Sequence, residues 1–395
     1  MENRQIEPAE RLGLVQEYYF SRKLKEVAQL NAAGQDIISL AIGSPDMPPS
    51  IATVEKLCEV AHDPTAHGYQ PTMGTPELRS AMADFYHRWY GVDLDPKTEV
   101  LPLIGSKEGI LHTTLAFVNP SDAVLVPNPG YPTYTSLSKI LGARVVYYNL
   151  REDRGWQPDF EQLEEIMKSQ VNQHVRLLWM NYPNMPTGGR ALMETYERAV
   201  DFAKRHQLVV VNDNPYSFIL NEGRHLSLLQ VPGAKDCCIE FNSMSKSHNM
   251  PGWRVGLCAS NPTFISWILK VQSNIESGTF RGIQLAAAEA FRNSDEWHHE
   301  ANVVVYRHRR HYAEQIMEAL GCTYDPQQVG MFLWGKIPDS IQNVEDLTER
   351  VLHEARVFIT PGFIFGSNGA RYIRISLCAK EEKIQEALER IKKII

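Results

Sequence analysis

The stretch Ser243-Met244-Ser245-Lys246-Ser247-His248-Asn249-Met250-Pro251-Gly252-Trp253-Arg254-Val255-Gly256 decides how this chain is organised. Two hydroxyl side chains, Ser243 and Ser245, stand just before Lys246, and Arg254 follows beyond a proline and a glycine. A lysine amine can form a Schiff base with an aldehyde, while hydroxyls and a guanidinium can hold a phosphate dianion. The stretch therefore predicts a site for a ligand that carries both groups.

These residues resemble the S-x-S-K-x(7)-R signature of fold-type I pyridoxal phosphate (PLP) enzymes, in particular the class I and II, aspartate aminotransferase-like family. In that family the lysine carries the cofactor as a Schiff base, and the serines and the arginine bind its phosphate. The resemblance assigns these roles to Lys246, Ser243, Ser245 and Arg254. An isolated match also fits a solvated loop lysine, so the assignment depends on other family motifs following in order.

Composition narrows the class of protein. The chain has 395 residues, of which 43% are hydrophobic and 22% charged, and its net charge is -7. This is globular composition with enough chain for a large domain and a smaller companion, and it argues against a nucleic-acid partner. The polar N-terminus and the lack of a long apolar stretch predict a cytoplasmic protein without membrane contact. Six scattered cysteines predict reduced thiols and no metal site.

From residue 100 onward, short apolar runs alternate with helical patterns, which predicts an α/β domain with a mostly parallel sheet. The predicted strands are 100–104, 123–126, 144–148, 175–180, 208–211 and 238–241. Ligands of such sheets bind beyond the carboxyl ends of the strands. Each motif below lies just past such an end.

Both ends of the chain show a different pattern. Helices are predicted at about 10–30, from Ser50, and from a Thr75 cap to Tyr90. After Gln284 the pattern predicts helix 295–320, strand 331–335, helix 344–355, strand 371–377 and a closing helix. The resulting expectation is an N-terminal segment of a small α+β domain (1–45), a large PLP-binding domain (46–290) and a C-terminal small domain (291–395).

A glycine-rich turn follows the first of these strands. In Gly105-Ser106-Lys107-Glu108-Gly109 the turn opens a helix, whose free N–H groups and positive dipole end suit a phosphate. The resemblance gives Ser106 and the Lys107 amide to the PLP phosphate. Taken singly, the same residues form an ordinary turn.

The next motif is Asn128-Pro129-Gly130-Tyr131-Pro132. It resembles the family loop whose aromatic ring stacks on the pyridine ring of the cofactor. The resemblance places Tyr131 there, and a stacked ring buries apolar area at low entropic cost. The alternative is an ordinary buried tyrosine.

The run Val211-Asn212-Asp213-Asn214-Pro215-Tyr216 carries a carboxylate at the end of an apolar strand. A carboxylate beside the pyridine nitrogen keeps that nitrogen protonated and makes the ring a better electron sink. The resemblance gives Asp213 this role and Tyr216 a hydrogen bond to the ring hydroxyl. Asp213 could otherwise cap the next turn.

The loop Asn181-Tyr182-Pro183-Asn184-Met185-Pro186-Thr187-Gly188 resembles the N-P-T-G loop of the family but departs from it. Met185 stands where the family has an asparagine that hydrogen-bonds the ring oxygen, and a thioether cannot donate that bond. Either Asn184 takes over this role or Tyr216 fills it alone.

The run Arg371-Tyr372-Ile373-Arg374-Ile375-Ser376 resembles the C-terminal strand whose arginine binds the substrate α-carboxylate. A guanidinium can bind both carboxylate oxygens, so Arg374 is the expected residue. Arg371 is expected to be solvated. Gly43 matches a glycine whose backbone lies near the same carboxylate.

Two residues point to a neighbouring subunit. Tyr69 matches a tyrosine that reaches the phosphate across a homodimer interface, so the resemblance implies shared active sites. Arg281, in Ser277-Gly278-Thr279-Phe280-Arg281, stands where the family often reads substrate side chains, and it could bind a second carboxylate. An exposed arginine or tyrosine is the alternative for each.

Taken together, the motifs predict an aminotransferase of amino-acid metabolism. Lys246, Asp213 and Tyr216 are the expected catalytic residues, and PLP is the expected cofactor. The substrates would be an L-amino acid and a 2-oxo acid. A PLP-dependent carbon-sulfur β-lyase would use the same residues, and release of pyruvate from cystathionine without an oxo acid would identify it. A PLP-binding regulatory module is disfavoured, because the N-terminal stretch is short and not basic.

Overall fold

The computed structural model describes residues 6–15, 17, 19–170, 174–293 and 295–395, with only the backbone at 295 and 296. Its α-helices are α1 (Tyr19–Ala32), α2 (Ile51–Ala61), α3 (Pro76–Tyr90), α4 (Ser106–Phe117), α5 (Pro132–Ile140), α6 (Phe160–Ser169), α7 (Met193–His206), α8 (Met244–Ser247), α9 (Pro262–Gln272), α10 (Arg281–Arg292), α11 (Asp295–His299), α12 (Val305–Ala319), α13 (Val344–Glu354) and α14 (Glu381–Lys392). Its strands are β1 (Ile38–Ser39), β2 (Val100–Leu103), β3 (Ala123–Asn128), β4 (Arg144–Asn149), β5 (Val175–Met180), β6 (Val209–Asp213), β7 (Cys238–Ser243), β8 (Gly256–Ala259), β9 (Thr323–Tyr324), β10 (Phe332–Lys336), β11 (Val357–Phe358), β12 (Thr360–Pro361) and β13 (Tyr372–Ser376).

A seven-stranded sheet in the order β2-β8-β7-β6-β5-β3-β4 forms the centre of the large domain. Strands β3 to β7 pair in parallel, while β8 runs antiparallel to both of its neighbours. All residues of β3, β6 and β7 are buried, as expected for strands covered on both faces by helices. The predicted α/β fold with a mostly parallel sheet is confirmed. The sequence reading missed β8, whose short apolar run follows directly on Arg254 and Val255.

A second sheet, in the order β12-β13-β10-β9, lies in the C-terminal part of the chain. Its central strand β13 carries Arg374, which stands opposite Trp334 of β10 and Thr360 of β12. The N-terminal β1 pairs in parallel with β11, Ile38 opposite Val357. The two chain ends therefore meet in one layer.

Helix starts follow the caps that the sequence carries. Ser50 caps α2 and Thr75 caps α3, each accepting a hydrogen bond from a backbone N–H of the first turn, and α3 ends at Gly91 in the left-handed region. The single helix predicted at 10–30 is wrong. A 3₁₀ turn over Glu10–Leu14 ends at an extended Val15, and α1 begins only at Tyr19.

Within the described ranges, no helix has the length and apolar character that a membrane crossing requires.

Candidate active site

A cavity of about 600 Å³ lies beyond the carboxyl ends of β5, β6 and β7 and in front of the N-terminus of α4. It is lined by Phe20, Ser21, Leu24, Ile42, Gly43, Ser106, Lys107, Tyr131, Tyr134, Asn181, Met185, Asp213, Pro215, Tyr216, Ser243, Ser245, Lys246, Pro251, Arg254, Phe332, Phe365 and Arg374. The fold thus brings together residues from six of the sequence motifs. Parallel strands converge at this edge, which is why motifs far apart in sequence meet here.

Lys246 extends into this cavity from the short helix α8, which Ser243 caps by accepting a hydrogen bond of 3.2 Å from the N–H of Ser245. The ammonium of Lys246 donates a hydrogen bond to the carbonyl oxygen of Gly43. Burial lowers the pKa of Lys246, and the charges of Arg374 and Arg254 act in the same direction. The amine is therefore more easily neutral, and hence more nucleophilic, than a surface lysine.

Arg254, Ser245 and the start of α4 form a cradle at one end of the cavity. Nη1 of Arg254 donates to Oγ of Ser245 at 3.3 Å and to the carbonyl of Pro251 at 3.1 Å, and Nη2 donates to the carbonyl of Ile104 at 3.1 Å. Ser106 begins α4 at the same place, so its N-terminal N–H groups face this end of the cavity. A guanidinium, a hydroxyl and a helix N-terminus together suit a phosphate dianion.

Glycine is required beside this cradle. Gly105 has φ +80°, and a Cβ added there would lie 2.1 Å from Nη2 of Arg254. Any larger residue would displace the guanidinium as well as strain the backbone. The turn before α4 is therefore shaped by the arginine that packs on it.

Asp213, the last residue of β6, is buried at the other end of the cavity. Its Oδ2 accepts a hydrogen bond of 3.0 Å from the hydroxyl of Tyr134, and its Oδ1 has no hydrogen-bond partner among the described residues. Burial raises the pKa of Asp213 to about 6, partly opposed by the nearby hydroxyls of Tyr134 and Ser106 and by the charge of Lys246. Asp213 thus lines the cavity with one carboxylate oxygen still available as an acceptor.

Two aromatic side chains complete the walls around Asp213. Tyr131, after β3, packs edge-on against Tyr134 with ring centroids 5.6 Å apart, and Tyr216 lies on the loop after β6. Burial raises the pKa of both Tyr131 and Tyr216, so both phenols remain protonated donors. The Tyr216 ring also packs edge-on against Phe332 at 5.9 Å.

The loop after β5 presents Asn181 and Met185 to the cavity, and Asn184 does not line it. The Asn184 side chain is used within the loop, donating to the carbonyl of Asn181 at 3.2 Å and accepting from Oγ1 of Thr187 at 2.7 Å. Of the two alternatives left open by the sequence, this arrangement favours Tyr216 as the phenol that acts without help from Asn184. Asn181 instead donates to the backbone carbonyl of Asp213 at 2.6 Å.

Arg374 is buried in an aromatic enclosure. Its guanidinium carbon lies 3.9 Å from the ring centroid of Phe332, 4.6 Å from that of Phe365 and 5.6 Å from that of Phe20. Nη2 donates to the carbonyl of Ala41 at 2.7 Å. Such rings hold a guanidinium in a fixed position by cation–π contacts.

The other predicted residues lie elsewhere. Arg371 is partly exposed and donates to the carbonyl of Pro338 at 2.9 Å, outside the cavity. Tyr69 is 96% exposed, and neither it nor the partly buried Arg281 lines the cavity of its own chain. The side chain of Lys107 is exposed at the cavity rim.

Sequence reasoning missed several cavity residues. Tyr134 lies one helical turn after Tyr131, and this spacing could have revealed it as a second aromatic on the same face. The remaining missed residues, Phe20, Ser21, Leu24, Phe332 and Phe365, come from distant segments and carry no local signal.

The described residues fit PLP. The cavity has room for a ring, the unpartnered Oδ1 of Asp213 is the acceptor that a protonated ring nitrogen needs, and the cradle around Arg254 suits a phosphate. Lys246 lines the same cavity as both groups. The fold and site thus define a fold-type I PLP-dependent enzyme.

Comparison with known proteins narrows this class. The model of the family "Aminotransferase class I and II" matches residues 35–391. An LL-diaminopimelate aminotransferase of Moorella thermoacetica is 39% identical over 391 residues, covering 99% of each chain, and one of Dehalococcoides mccartyi is 38% identical over 375 residues, covering 95% of each. The substrate-bound BacF structure from Bacillus subtilis is 34% identical with a TM-score of 0.91, covering 99% of this chain and 98% of that one. The chain belongs to the class I and II aminotransferases, and it is a PLP-dependent transaminase.

Proposed function

We propose that Lys246 and Asp213 carry the transamination between an L-amino acid and a 2-oxo acid. The observation that supports this most directly is that the lysine amine and the carboxylate line one ring-sized cavity, with the Arg254 cradle in the same wall. When bound, PLP supplies an aldehyde that combines with amines and a ring that withdraws electrons from the substrate Cα.

Lys246 acts as both nucleophile and proton carrier. Its lowered pKa makes the neutral amine available to hold PLP, and once released the same Nζ would accept the proton from the substrate Cα and return a proton during the transfer. The amino group would pass from the donor to a second 2-oxo acid by way of the bound cofactor.

Asp213 and Tyr216 set the electronic balance at the ring. Oδ1 of Asp213 would accept a hydrogen bond from the protonated ring nitrogen of PLP, while Tyr134 donates to Oδ2 of the same carboxylate. Tyr216 would donate to the ring hydroxyl, and Tyr131 would stack on the ring. Asn184 is not needed in this scheme, because its side chain already bonds to Asn181 and Thr187 within the loop.

Arg374 binds the substrate α-carboxylate. Its guanidinium is held among three aromatic rings, and both Arg374 and Gly43 line the cavity. A Cβ at Gly43 would lie 2.3 Å from Cζ of Phe332, so this approach requires glycine. Ser106, Ser243, Ser245, Arg254 and the Lys107 amide bind the phosphate.

The cavity wall around Arg374 favours a substrate with an apolar side chain. Phe20, Leu24, Ile42, Phe332 and Phe365 line it, and Asp213 is the sole carboxylate among the cavity-lining residues that the structure describes. The charged residues that line the cavity are all assigned to binding the cofactor or the substrate α-carboxylate. Burial of a substrate side chain against these rings would supply the binding energy.

LL-diaminopimelate is the second candidate donor, because the curated relatives carry that name. Its distal ammonium would need an acidic partner, which within one chain is offered only by Asp213 among the described cavity residues. A donor of this kind would depend on groups from a second subunit. Arg281 of one subunit would bind a second carboxylate of the substrate held in the neighbouring subunit, across the interface.

A donor panel tests the substrate class. Phenylalanine, leucine, methionine, aspartate, alanine and LL-diaminopimelate would each be assayed for kcat/KM with 2-oxoglutarate and with pyruvate. We expect the apolar donors to exceed alanine and aspartate by at least about tenfold, since one buried side chain contributes about 1.5–3 kcal/mol. A clear preference for LL-diaminopimelate would replace the apolar proposal by the second candidate.

The assembly and location follow as part of the proposal. A homodimer with shared active sites is supported by the exposure of Tyr69, which cannot serve its own cavity, and by the position of Arg281 outside it. The division into 1–45, 46–290 and 291–395 is supported by the pairing of β1 with β11. A cytoplasmic location suits a transaminase of amino-acid metabolism, and neither nucleic acid nor membrane is needed as a partner.

A further inference from the structure

Glu108, His112 and Glu276 form a side-chain cluster outside the active site. Glu108 and His112 lie one turn apart on α4, and Glu276 comes from the segment between α9 and α10. One ligand atom from each of the three residues lies within 4.8 Å of those of the other two, and Nε2 of His112 is 4.0 Å from Oε1 of Glu108. Three such donors on two segments can surround a single ion.

The imidazole of His112 is the second observation. His112 is fully buried, yet neither ring nitrogen has a hydrogen-bond partner among the described residues. A buried polar group without a hydrogen-bond partner is unfavourable, and a cation bound to a ring nitrogen would supply the missing partner.

The two carboxylates lie close to each other and are held in place by neighbouring groups. The N–H of Ile104 donates to Glu108, and Nε2 of Gln272 donates to Oε1 of Glu276 at 2.7 Å. A divalent cation between the two acids would offset their mutual repulsion.

A second cluster of the same composition in this chain serves as a contrast. Glu26, Glu349 and His353 also lie within ligand distance of one another, but Lys23 already pairs with Glu26 at 2.9 Å and with Glu349 at 2.5 Å. The His353 side chain is 51% exposed. Lys23 therefore already neutralises that exposed cluster, whereas in the first cluster the fully buried His112 has no hydrogen-bond partner among the described residues.

We propose that Glu108, His112 and Glu276 bind a divalent transition metal ion of the Zn²⁺ type. An imidazole with two carboxylates suits Zn²⁺, whereas Mg²⁺ prefers oxygen ligands alone. In a tetrahedral Zn²⁺ site each donor lies about 2.1 Å from the ion, and neighbouring donor atoms lie about 3.4 Å apart. Nε2 of His112 and Oε1 of Glu108 are 4.0 Å apart. These two atoms would therefore move roughly 0.6 Å closer on binding the ion.

This site would brace the phosphate cradle. The N–H of Ile104 donates to Glu108, and the carbonyl of Ile104 accepts from Nη2 of Arg254 at 3.1 Å. One residue thus connects the metal ligand to the arginine of the active site. The ion would act as a structural element, independent of the proposed chemistry at Lys246.

The test uses tag-free holoenzyme, stripped with a chelator, incubated with Zn²⁺ or Mg²⁺ and freed of unbound metal by gel filtration. Metal content and Tm are measured for the wild type, His112→Gln, Glu276→Gln and the matched control His353→Gln. We expect about one Zn²⁺ per chain and a raised Tm for the wild type and His353→Gln. Zn²⁺ affinity should be at least about tenfold weaker in the other two variants, and Mg²⁺ should be without effect.

Two results would overturn the proposal: no stoichiometric Zn²⁺ in the wild type, or retention of that zinc by the folded Glu276→Gln variant. Should His112→Gln not fold, Glu276→Gln decides alone, because Glu276 is only partly buried and glutamine keeps its size. Neither readout depends on catalytic turnover, so failure here leaves the proposed function untouched.

Discussion

The hydroxyl of Tyr134 donates a hydrogen bond of 3.0 Å to Oδ2 of Asp213, while Oδ1 of the same carboxylate has no partner among the described residues. The tyrosine fixes the orientation of the acid, and both residues line the cavity. This relationship explains how the buried carboxylate of Asp213 can be oriented to accept a hydrogen bond from the ring nitrogen of PLP before the cofactor binds. It also makes the cofactor-free protein sensitive to pH.

Asp213→Asn should change how the stability of the cofactor-free protein depends on pH. Burial raises the pKa of Asp213 to about 6, above its ordinary 3.8, so the folded state binds the proton more tightly than the unfolded state. The resulting stability is present below about pH 4 and is lost as pH rises through 6. Relative to the variant, the wild type should lose on the order of 2 kcal/mol between pH 4 and pH 7.

Urea unfolding of both proteins across this range measures that difference. The comparison with Asp213→Asn removes the contribution of all other titrating groups. A stability difference that stays constant from pH 4 to pH 7 would show that Asp213 does not have a raised pKa.

Lys246→Ala should abolish turnover and the absorbance band of the lysine-bound cofactor. Loss of the proton carrier alone costs at least about 100-fold in kcat, and loss of the covalent attachment adds to it. Single-turnover assays and an absorbance scan of the dialysed protein measure both effects. Lys56→Ala, at a surface lysine paired with Glu59, is the control and should behave as wild type. Retention of activity and absorbance by Lys246→Ala would remove the assignment.

Gly105→Ala should weaken cofactor binding. The added Cβ would lie 2.1 Å from Nη2 of Arg254 and push the guanidinium out of the cradle. Loss of one charge-assisted hydrogen bond costs about 1.5–3 kcal/mol, so PLP affinity should fall by at least about tenfold. Titration of the cofactor-free protein with PLP measures this.

Gly252→Ala is the matched control in the same region, because a Cβ there meets no atom within 4 Å. It should bind PLP as the wild type does. Equal affinities for Gly105→Ala and wild type would contradict a role of Arg254 in holding the phosphate.

Arg374→Lys should raise KM for the amino donor by at least about tenfold and leave the cofactor absorbance unchanged. Lysine carries the charge but lacks the planar fork that binds both carboxylate oxygens and lies against Phe332. Arg371→Lys, directly before the same strand, is the control, since Arg371 lies outside the cavity and this variant should keep KM within about twofold. Similar KM changes in both variants would point to a general effect on the strand.

Arg281→Ala tests whether Arg281 binds the side-chain carboxylate of the amino donor. If Arg281 reaches the substrate of a neighbouring subunit, the variant should slow aspartate more than alanine, by at least about tenfold in kcat/KM, because a charged hydrogen bond is worth about 1.5–3 kcal/mol. Steady-state kinetics with both donors measure the ratio. An equal loss on both donors would remove the side-chain role.

Much of the site could be predicted from local sequence. Lys246, Asp213, Ser106 and Tyr131 each lie next to the end of a strand that the apolar pattern reveals, and the carboxyl ends of parallel strands meet at one edge. Their types and order therefore implied both the fold and the cofactor. The β8 strand escaped because its apolar run is short and directly follows a motif, and the helix predicted at 10–30 was too long because Val15 is extended.

The amino-acid sequence by itself determined the sheet, the family and the chemical groups around the cofactor, because each depends on residues close together along the chain. Only the tertiary structure decided which loop residue faces the cavity, Asn181 rather than Asn184, and what surrounds Arg374. It also placed Glu276 against Glu108 and His112. Contacts of this kind join segments far apart in sequence, and they depend on how side chains pack once the layers have come together, which no local pattern records.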